Sequence, residues 1–304
     1  MNECILALDF GGTKLSAAVA AVTELEQDSP HWLARERVFS PEDGAAQFDI
    51  ETMIALGKQL LSGERPFAVG VSFGGPVDYH AGIVRLSHHV PGWENIPLRD
   101  MLTEEFAAPV QVDNDANVAA LGEWRFGAGR GVDSLFYVTV STGVGGGWVL
   151  NGRCWRGHAG MAGEIGHTVV EPNGPVCLCG KRGCVERLAS GPYMAQDFMA
   201  LHPDMEVTGK ELAELAVNGH VDAERILLRG AKALGVGIGN AANLLNPQQF
   251  ILGGGVTKSG EKWWQTVRQA AQETALPEVH FEVVPAAFAD DAPLWGAVAL
   301  AIGD

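Results

Sequence analysis

The chain predicts an α/β fold, and three observations carry that prediction. Short apolar runs rich in strand formers alternate with segments of helical periodicity. Three of the apolar runs break into glycines, at Gly11-Gly12-Thr13, Thr142-Gly143-Val144-Gly145 and Gly253-Gly254-Gly255. The stretches "ALDFGGTKLSAAVA" and "VTVSTGVGGGWVLN" share one plan, strand then glycine turn then strand, which suggests a duplicated domain. The chain has 304 residues, 47% of them hydrophobic and 19% charged, enough apolar material for roughly two domains of a soluble globular protein.

The elements follow in order. "CILALD" (4–9) is a strand, "FGGTKL" its turn, and "SAAVAAV" a second strand. Residues 47–62 have amphipathic helical spacing, with Ile50, Met53, Ile54, Leu60 and Leu61 near one face. "FAVGVSFGGPVD" (67–78) is a buried strand breaking into a Gly-Pro turn. "PVQVDNDANVAALGEWRFG" (109–127) runs from a strand through a polar turn into a helix whose alanine-rich start follows Asn117. "SLFYVTVSTGVGGGWVLNG" (134–152) repeats the opening design. Helical patterns dominate 209–247, "FILGGGVT" (250–257) is a strand ending in glycines, and a helix over 294–302 closes the chain. The expected domains are 1–112, a smaller lobe completed by the C-terminal helix 291–304, and 113–290, a larger lobe.

Glycine turns at strand ends let backbone N–H groups surround a phosphate, because no Cβ blocks the approach. One such turn alone is more often an ordinary tight turn; three of them favour a nucleotide site. Neither a P-loop nor a dinucleotide fingerprint is present. Asp9, just before the first glycines, could hold a hydrated Mg²⁺ or simply cap the turn. Asp113, Asn114, Asp115 and Asn117 crowd one strand-to-helix junction. One of them caps the helix, and the surplus suits a carboxylate, Asp115, that accepts a hydroxyl proton beside an orienting Asn114. Three of five cysteines lie in "GEIGHTVVEPNGPVCLCGKRGCVER" (163–187), together with Glu164, His167, Glu171 and Glu186. A structural metal clip, a catalytic metal site and a redox pair are all open for that stretch on its residues alone. Cys4 and Cys154 are read as packing residues.

Taken together, these segments resemble the ROK family of sugar kinases. "LDFGGTKL", "GGPVD", "DNDANVAALGE", "TVSTGVGGGWVLNG", "GHAGMAGEIGH…CLCGKRGCVE" and "LGGG" occur in the family's order and span nearly the whole chain. The resemblance implies a two-lobed, actin-like ATPase fold (a ribonuclease H-like unit, duplicated) with a central cleft. It implies Asp115 as general base, and Gly75, Asn95, Asn114, Glu164, His167 and Glu186 as sugar-holding groups. ATP and Mg²⁺ would be held at Asp9, Gly11, Gly12, Thr13, Lys14, Thr142, Gly143, Gly254 and Gly255. One structural Zn²⁺ would be bound by His167, Cys177, Cys179 and Cys184; four protein ligands leave no open position for water, so this metal does no hydrolysis. Glu171 has no such role and is read as a solvated charge. The family often has Pro-Gly-Pro where Gly74-Gly75-Pro76 stands here, which changes the stiffness of that turn.

The resemblance implies glucose as substrate, phosphorylated at its 6-hydroxyl, with N-acetylmannosamine, N-acetylglucosamine or fructose as alternatives, and a homodimer or higher homo-oligomer. Some relatives are repressors carrying a DNA-binding domain in front. Here the first turn begins at Asp9 and the formal charge is −16, so neither nucleic acid nor an anionic membrane is an expected partner. No secretory signal and no run of about 18 apolar residues is visible, which together with the clustered thiols points to the cytoplasm. A glycoside hydrolase has no need of turns that cradle a triphosphate, and a pure sugar sensor has no need of Asp115.

Overall fold

The computed structural model describes residues 3–12, 14–25, 30–41, 43–87 and 90–303. Its elements, in chain order, begin with β1 (Cys4–Phe10), β2 (Lys14–Ala21), β3 (Ala34–Phe39), α1 (Ala46–Leu61), β4 (Ala68–Phe73), β5 (Val77–Asp78) and β6 (Ile83–Val84). They continue with α2 (Leu98–Phe106), β7 (Val110–Asn114), α3 (Asp115–Phe126), β8 (Ser134–Val140), β9 (Val144–Leu150) and β10 (Arg153–Trp155). The rest are α4 (Val185–Ala189), α5 (Gly191–Leu201), α6 (Gly209–Val217), α7 (Val221–Leu245), β11 (Gln249–Gly253), α8 (Glu261–Thr274), β12 (Glu282–Pro285) and α9 (Ala292–Ile302). No helix among the described residues is long and apolar enough to cross a membrane.

Two five-stranded sheets carry the fold, in the orders β3-β2-β1-β4-β7 and β10-β9-β8-β11-β12. Each has the same plan: a strand and its antiparallel hairpin partners, then two parallel strands added on the other side. The duplication suggested by "FGGTKL" and "STGVGGG" is thus present as topology. Parallel central strands are covered on both faces, which is why "CILALDF" and "AVGVSF" read as continuous apolar runs and not as alternating ones.

The chain divides into two compact units. The first is Met1–Val132, Gly147–Ala162 and Asp290–Asp304; the second is Asp133–Gly146 and Gly163–Ala289. Against the expected boundary at 112, this division keeps 113–132 and 147–162 with the first unit, and the second of these crossings falls within β9. In the first unit, Cys4, Leu6, Leu8 and Phe10 of β1 pack into a core with Ile50 and Met53 of α1 and Leu98 and Leu102 of α2. On α9, Gly296 lies so close to α3 that a Cβ there would sit 1.8 Å from the Val118 carbonyl oxygen. In β4, a Cβ on Gly70 would meet the Ala297 carbonyl at 1.7 Å. Small residues therefore let one buried helix touch both the sheet and α3, which begins with Asp115. In the second unit, α7 packs closely on α8 and on α4, where a Cβ at Gly230 would lie 2.7 Å from the Leu188 carbonyl.

Candidate active site

In the first unit, β1, β4 and β7 run parallel, so their carboxyl ends fall on one edge. Asp9 is paired with Ser72, and Ser72 with Asp113, in one rung across the sheet. The strands leave that edge as Gly11-Gly12, Gly74-Gly75 and Asn114-Asp115, and such an edge is where ligands of parallel sheets bind. The Gly11 N–H donates to the Lys14 carbonyl at 3.0 Å, which closes the β1–β2 hairpin, and the Gly74 N–H donates to the Phe10 carbonyl at 3.0 Å. Lys14 is exposed; Thr13 lies outside the described residues. The Ser72 hydroxyl donates to Asp9 at 2.8 Å. Burial pushes the Asp9 carboxyl up to about 7; the Ser72 bond opposes this, and the Asp115 charge adds to it.

The crowded Asx residues divide their work. Asn114 caps α3: its side-chain oxygen accepts from the Ala116 N–H at 3.0 Å, and its amide donates to the Gly75 carbonyl at 3.1 Å. With the cap at Asn114, α3 starts at Asp115, three residues earlier than the alanines suggested, and Asn117 is buried inside the helix. Asp115 also accepts from the Ala116 N–H, at 2.8 Å. Asp113 faces inward, taking the Asn114 N–H at 2.7 Å and the Asn117 amide at 3.2 Å on one oxygen and Arg156 Nε at 2.6 Å on the other. Burial raises its carboxyl and the Arg156 charge pulls it back. Asn95 is exposed in the left-handed region, φ 56°, with its side-chain oxygen accepting from Arg85 at 3.3 Å; Arg85 also pairs with Asp78. Gly75, Asn95, Asn114 and Asp115 therefore all belong to the first unit.

In the second unit, β8 and β11 are parallel neighbours, and the turns Ser141–Gly143 and Gly254-Gly255 leave adjacent strand ends. The Ser141 N–H donates to the Gly143 carbonyl at 2.9 Å. Gly254 has φ 90°, and a Cβ there would stand 2.3 Å from the Val140 carbonyl oxygen, so only glycine lets the two ends lie together. Thr142 is exposed. Glu186, on α4, accepts from the Val144 N–H at 3.0 Å and so buttresses the Thr142-Gly143 turn. Glu164 is exposed and precedes a short 3₁₀ turn, Ile165–His167, whose His167 N–H donates to the Glu164 carbonyl at 3.1 Å.

His167, Cys177, Cys179 and Cys184 bring one ligand atom each to within 4.8 Å of one another. Cys179 Sγ lies 3.6 Å from Cys184 Sγ, and Cys177 Sγ lies 4.0 Å from His167 Nδ1. A tetrahedral zinc with 2.3 Å Zn–S bonds has its sulfurs about 3.8 Å apart, so these spacings fit that ion. Burial pushes the Cys184 thiol up to about 12, while the Lys181 backbone N–H draws exposed Cys179 down. A buried thiol becomes a thiolate when a cation compensates it. Glu171 is not a merely solvated charge: Arg229 of α7 clasps it, with Nη2–oxygen distances of 2.8 and 2.9 Å, and this pair ties the loop to the helix bundle. Between them, at Gly183, a Cβ would meet the Glu171 carbonyl at 1.7 Å.

Three site-lining residues escaped the sequence reading. Ser72 was legible in principle as a lone hydroxyl in the apolar run "AVGVSF". Arg156 and Tyr79, whose ring lies 3.6 Å from the Arg156 guanidinium carbon, carry no local signal, because their partners are distant in sequence.

The sequence model of the ROK family matches residues 5–304. A glucokinase of Thermotoga maritima is 32% identical over 311 residues, covering 97% of this chain and 96% of that protein. The crystal structure of a ROK hexokinase from Thermus thermophilus is 33% identical with a TM-score of 0.87, covering 98% of each chain. A ROK family glucokinase from Streptomyces griseus, solved in complex with glucose and AMPPNP, is 31% identical with a TM-score of 0.82 and covers 98% of this chain and 99% of its own.

Proposed function

The chain belongs to the ROK family, and from that premise we propose that it is an ATP-dependent hexose kinase converting glucose to glucose 6-phosphate. The observation that carries the reading is the strand-end row of the first unit, where Asp115 opens α3 beside Asn114, Gly75 and the half-buried carboxylate of Asp9.

Asp115 takes the proton of the sugar 6-hydroxyl as that oxygen attacks the γ-phosphate in line. Asn114, Asn95 and the main chain at Gly75 orient the sugar. Glu164, His167 and Glu186 are sugar-holding groups of the second unit by the same family resemblance. The N–H groups of the turns at Gly11-Gly12, Thr142-Gly143 and Gly254-Gly255, with Thr13 and Lys14, take the nucleotide. Asp9 would hold Mg²⁺, which would offset the charge that builds on the phosphates. A desolvated carboxylate with another carboxylate nearby fits a divalent cation, since the cation supplies the countercharge that burial removed. Cys177, Cys179, Cys184 and His167 would hold one Zn²⁺ that shapes the 163–187 loop and fixes the tautomer of His167.

A coupled ADP-release assay over hexoses and N-acetylhexosamines tests this. Glucose should give the highest kcat/KM, and ADP release should require both sugar and Mg²⁺. A preference for N-acetylmannosamine, N-acetylglucosamine or fructose would reassign the substrate, and no sugar-dependent release would end the kinase reading. Asp115→Asn should lower turnover by ~10²–10⁴-fold with the fold intact.

A further inference from the structure

We infer that Arg156 is a positioning residue for the transfer: through its ion pair with Asp113 it sets the strand-to-helix turn that aims Asn114 and Asp115. This rests on Asp115 being the base. The Asp113 side chain is 2% exposed and that of Arg156 13%. The carboxylate is split between two tasks. One oxygen takes Arg156 Nε at 2.6 Å; the other takes the Asn114 N–H at 2.7 Å and the Asn117 amide at 3.2 Å. A carboxylate is planar and rigid, so the angle that Arg156 imposes on one oxygen is passed to the other. The Asn114 N–H belongs to the peptide plane that leads into the cap of α3, and Asp115 is the next residue. Arg156 also touches the segment that follows Gly75. Its guanidinium lies 3.6 Å from the Tyr79 ring centre, four residues beyond Gly75, whose carbonyl holds the Asn114 amide. Its Nη1 is tied back to the Cys154 carbonyl at 3.3 Å, anchoring the group to β10.

The pair is a poor device for stability. Two buried charges cost desolvation, and an apolar pair of like volume serves a core at least as well. Here Arg156 Nη2 and Asn117 Oδ1 are buried with no hydrogen-bond partner among the described residues. A local rule broken beside a reacting group is the mark of a functional constraint.

The test uses the full chain carrying Arg156→Gln, Arg156→Lys or the neutral pair Arg156→Gln/Asp113→Asn, with Asp115→Asn as reference. Misplacement of reacting groups by about 1 Å costs up to ~10²-fold. Arg156→Gln should therefore lower kcat per folded molecule by roughly 10- to 100-fold, with KM for ATP nearly unchanged. Arg156→Lys, which keeps the charge without the fork, should recover part of kcat. The double variant, which leaves no lone buried charge, should regain stability without regaining kcat. Wild-type kcat per folded molecule in both single variants, or a loss of kcat that disappears when the double variant restores stability, would overturn the inference. An inactive Asp115→Asn beside fully active Arg156 variants sinks this role alone; an active Asp115→Asn sinks it together with the base assignment.

Discussion

Asp9 shows how one residue can be expensive to fold and still be kept. Its carboxyl is lifted from 3.8 to about 7, first by burial, then by the charge of Asp115, against one hydrogen bond from Ser72. The folded protein therefore binds a proton more tightly than the unfolded chain. The associated stability is complete below about pH 4 and is lost as pH rises through about 7. Without Mg²⁺ and nucleotide, Asp9→Asn should be more stable than the wild type at pH 8, with the gap closing towards pH 4; denaturant melts across that range read it directly. A wild type that instead gained on Asp9→Asn from pH 4 to 8 would contradict the burial account. The same variant should lose turnover, because an amide cannot supply the charge that Mg²⁺ needs.

Among the elements, α9 packs closely on α3, the helix that begins with Asp115. Alanine at Gly296 would gain about 1 kcal/mol of helix propensity. Its Cβ, however, would stand 1.8 Å from the Val118 carbonyl oxygen, and backbone on both sides leaves nothing soft to move. Overpacking of this kind costs typically 1–3 kcal/mol, so the clash wins. Gly296→Ala should lower the denaturation midpoint and, by shifting α3, lower kcat more than KM. The family resemblance of "DNDANVAALGE" implies that α3 carries the base. The alanines misled about where α3 begins, because Asn114 rather than Asn117 has the extended backbone of a cap.

For the molecule as a whole, the division into units separates the candidate chemistry. Asp9 and Asp115 belong to the first unit, and all four candidate zinc ligands to the second. Verified metal-free protein should show faster hydrogen exchange over 163–187 and in α4, with β1 and β4 keeping their protection. Metal removal should also weaken sugar binding, because the loop it would shape carries the proposed sugar-holding groups Glu164, His167 and Glu186. Unchanged exchange across 163–187 would mean that the loop holds itself, with Glu171–Arg229 and the turn at Gly183 sufficient.

The sequence by itself determined the α/β class, the duplicated strand plan, the strand-end glycines and the cluster of His167 with Cys177, Cys179 and Cys184. These are short-range properties: hydrophobic period, absence of a Cβ, and ligand spacing within one loop. Only the tertiary structure decided that Asp113 turns inward to Arg156, that Ser72 serves Asp9, that Glu171 is clasped by Arg229 and that Glu186 supports the Val144 N–H. Each of these joins residues 42 to 63 positions apart. Buried polar groups must find partners wherever the packed chain places one, and no local pattern records which partner that is.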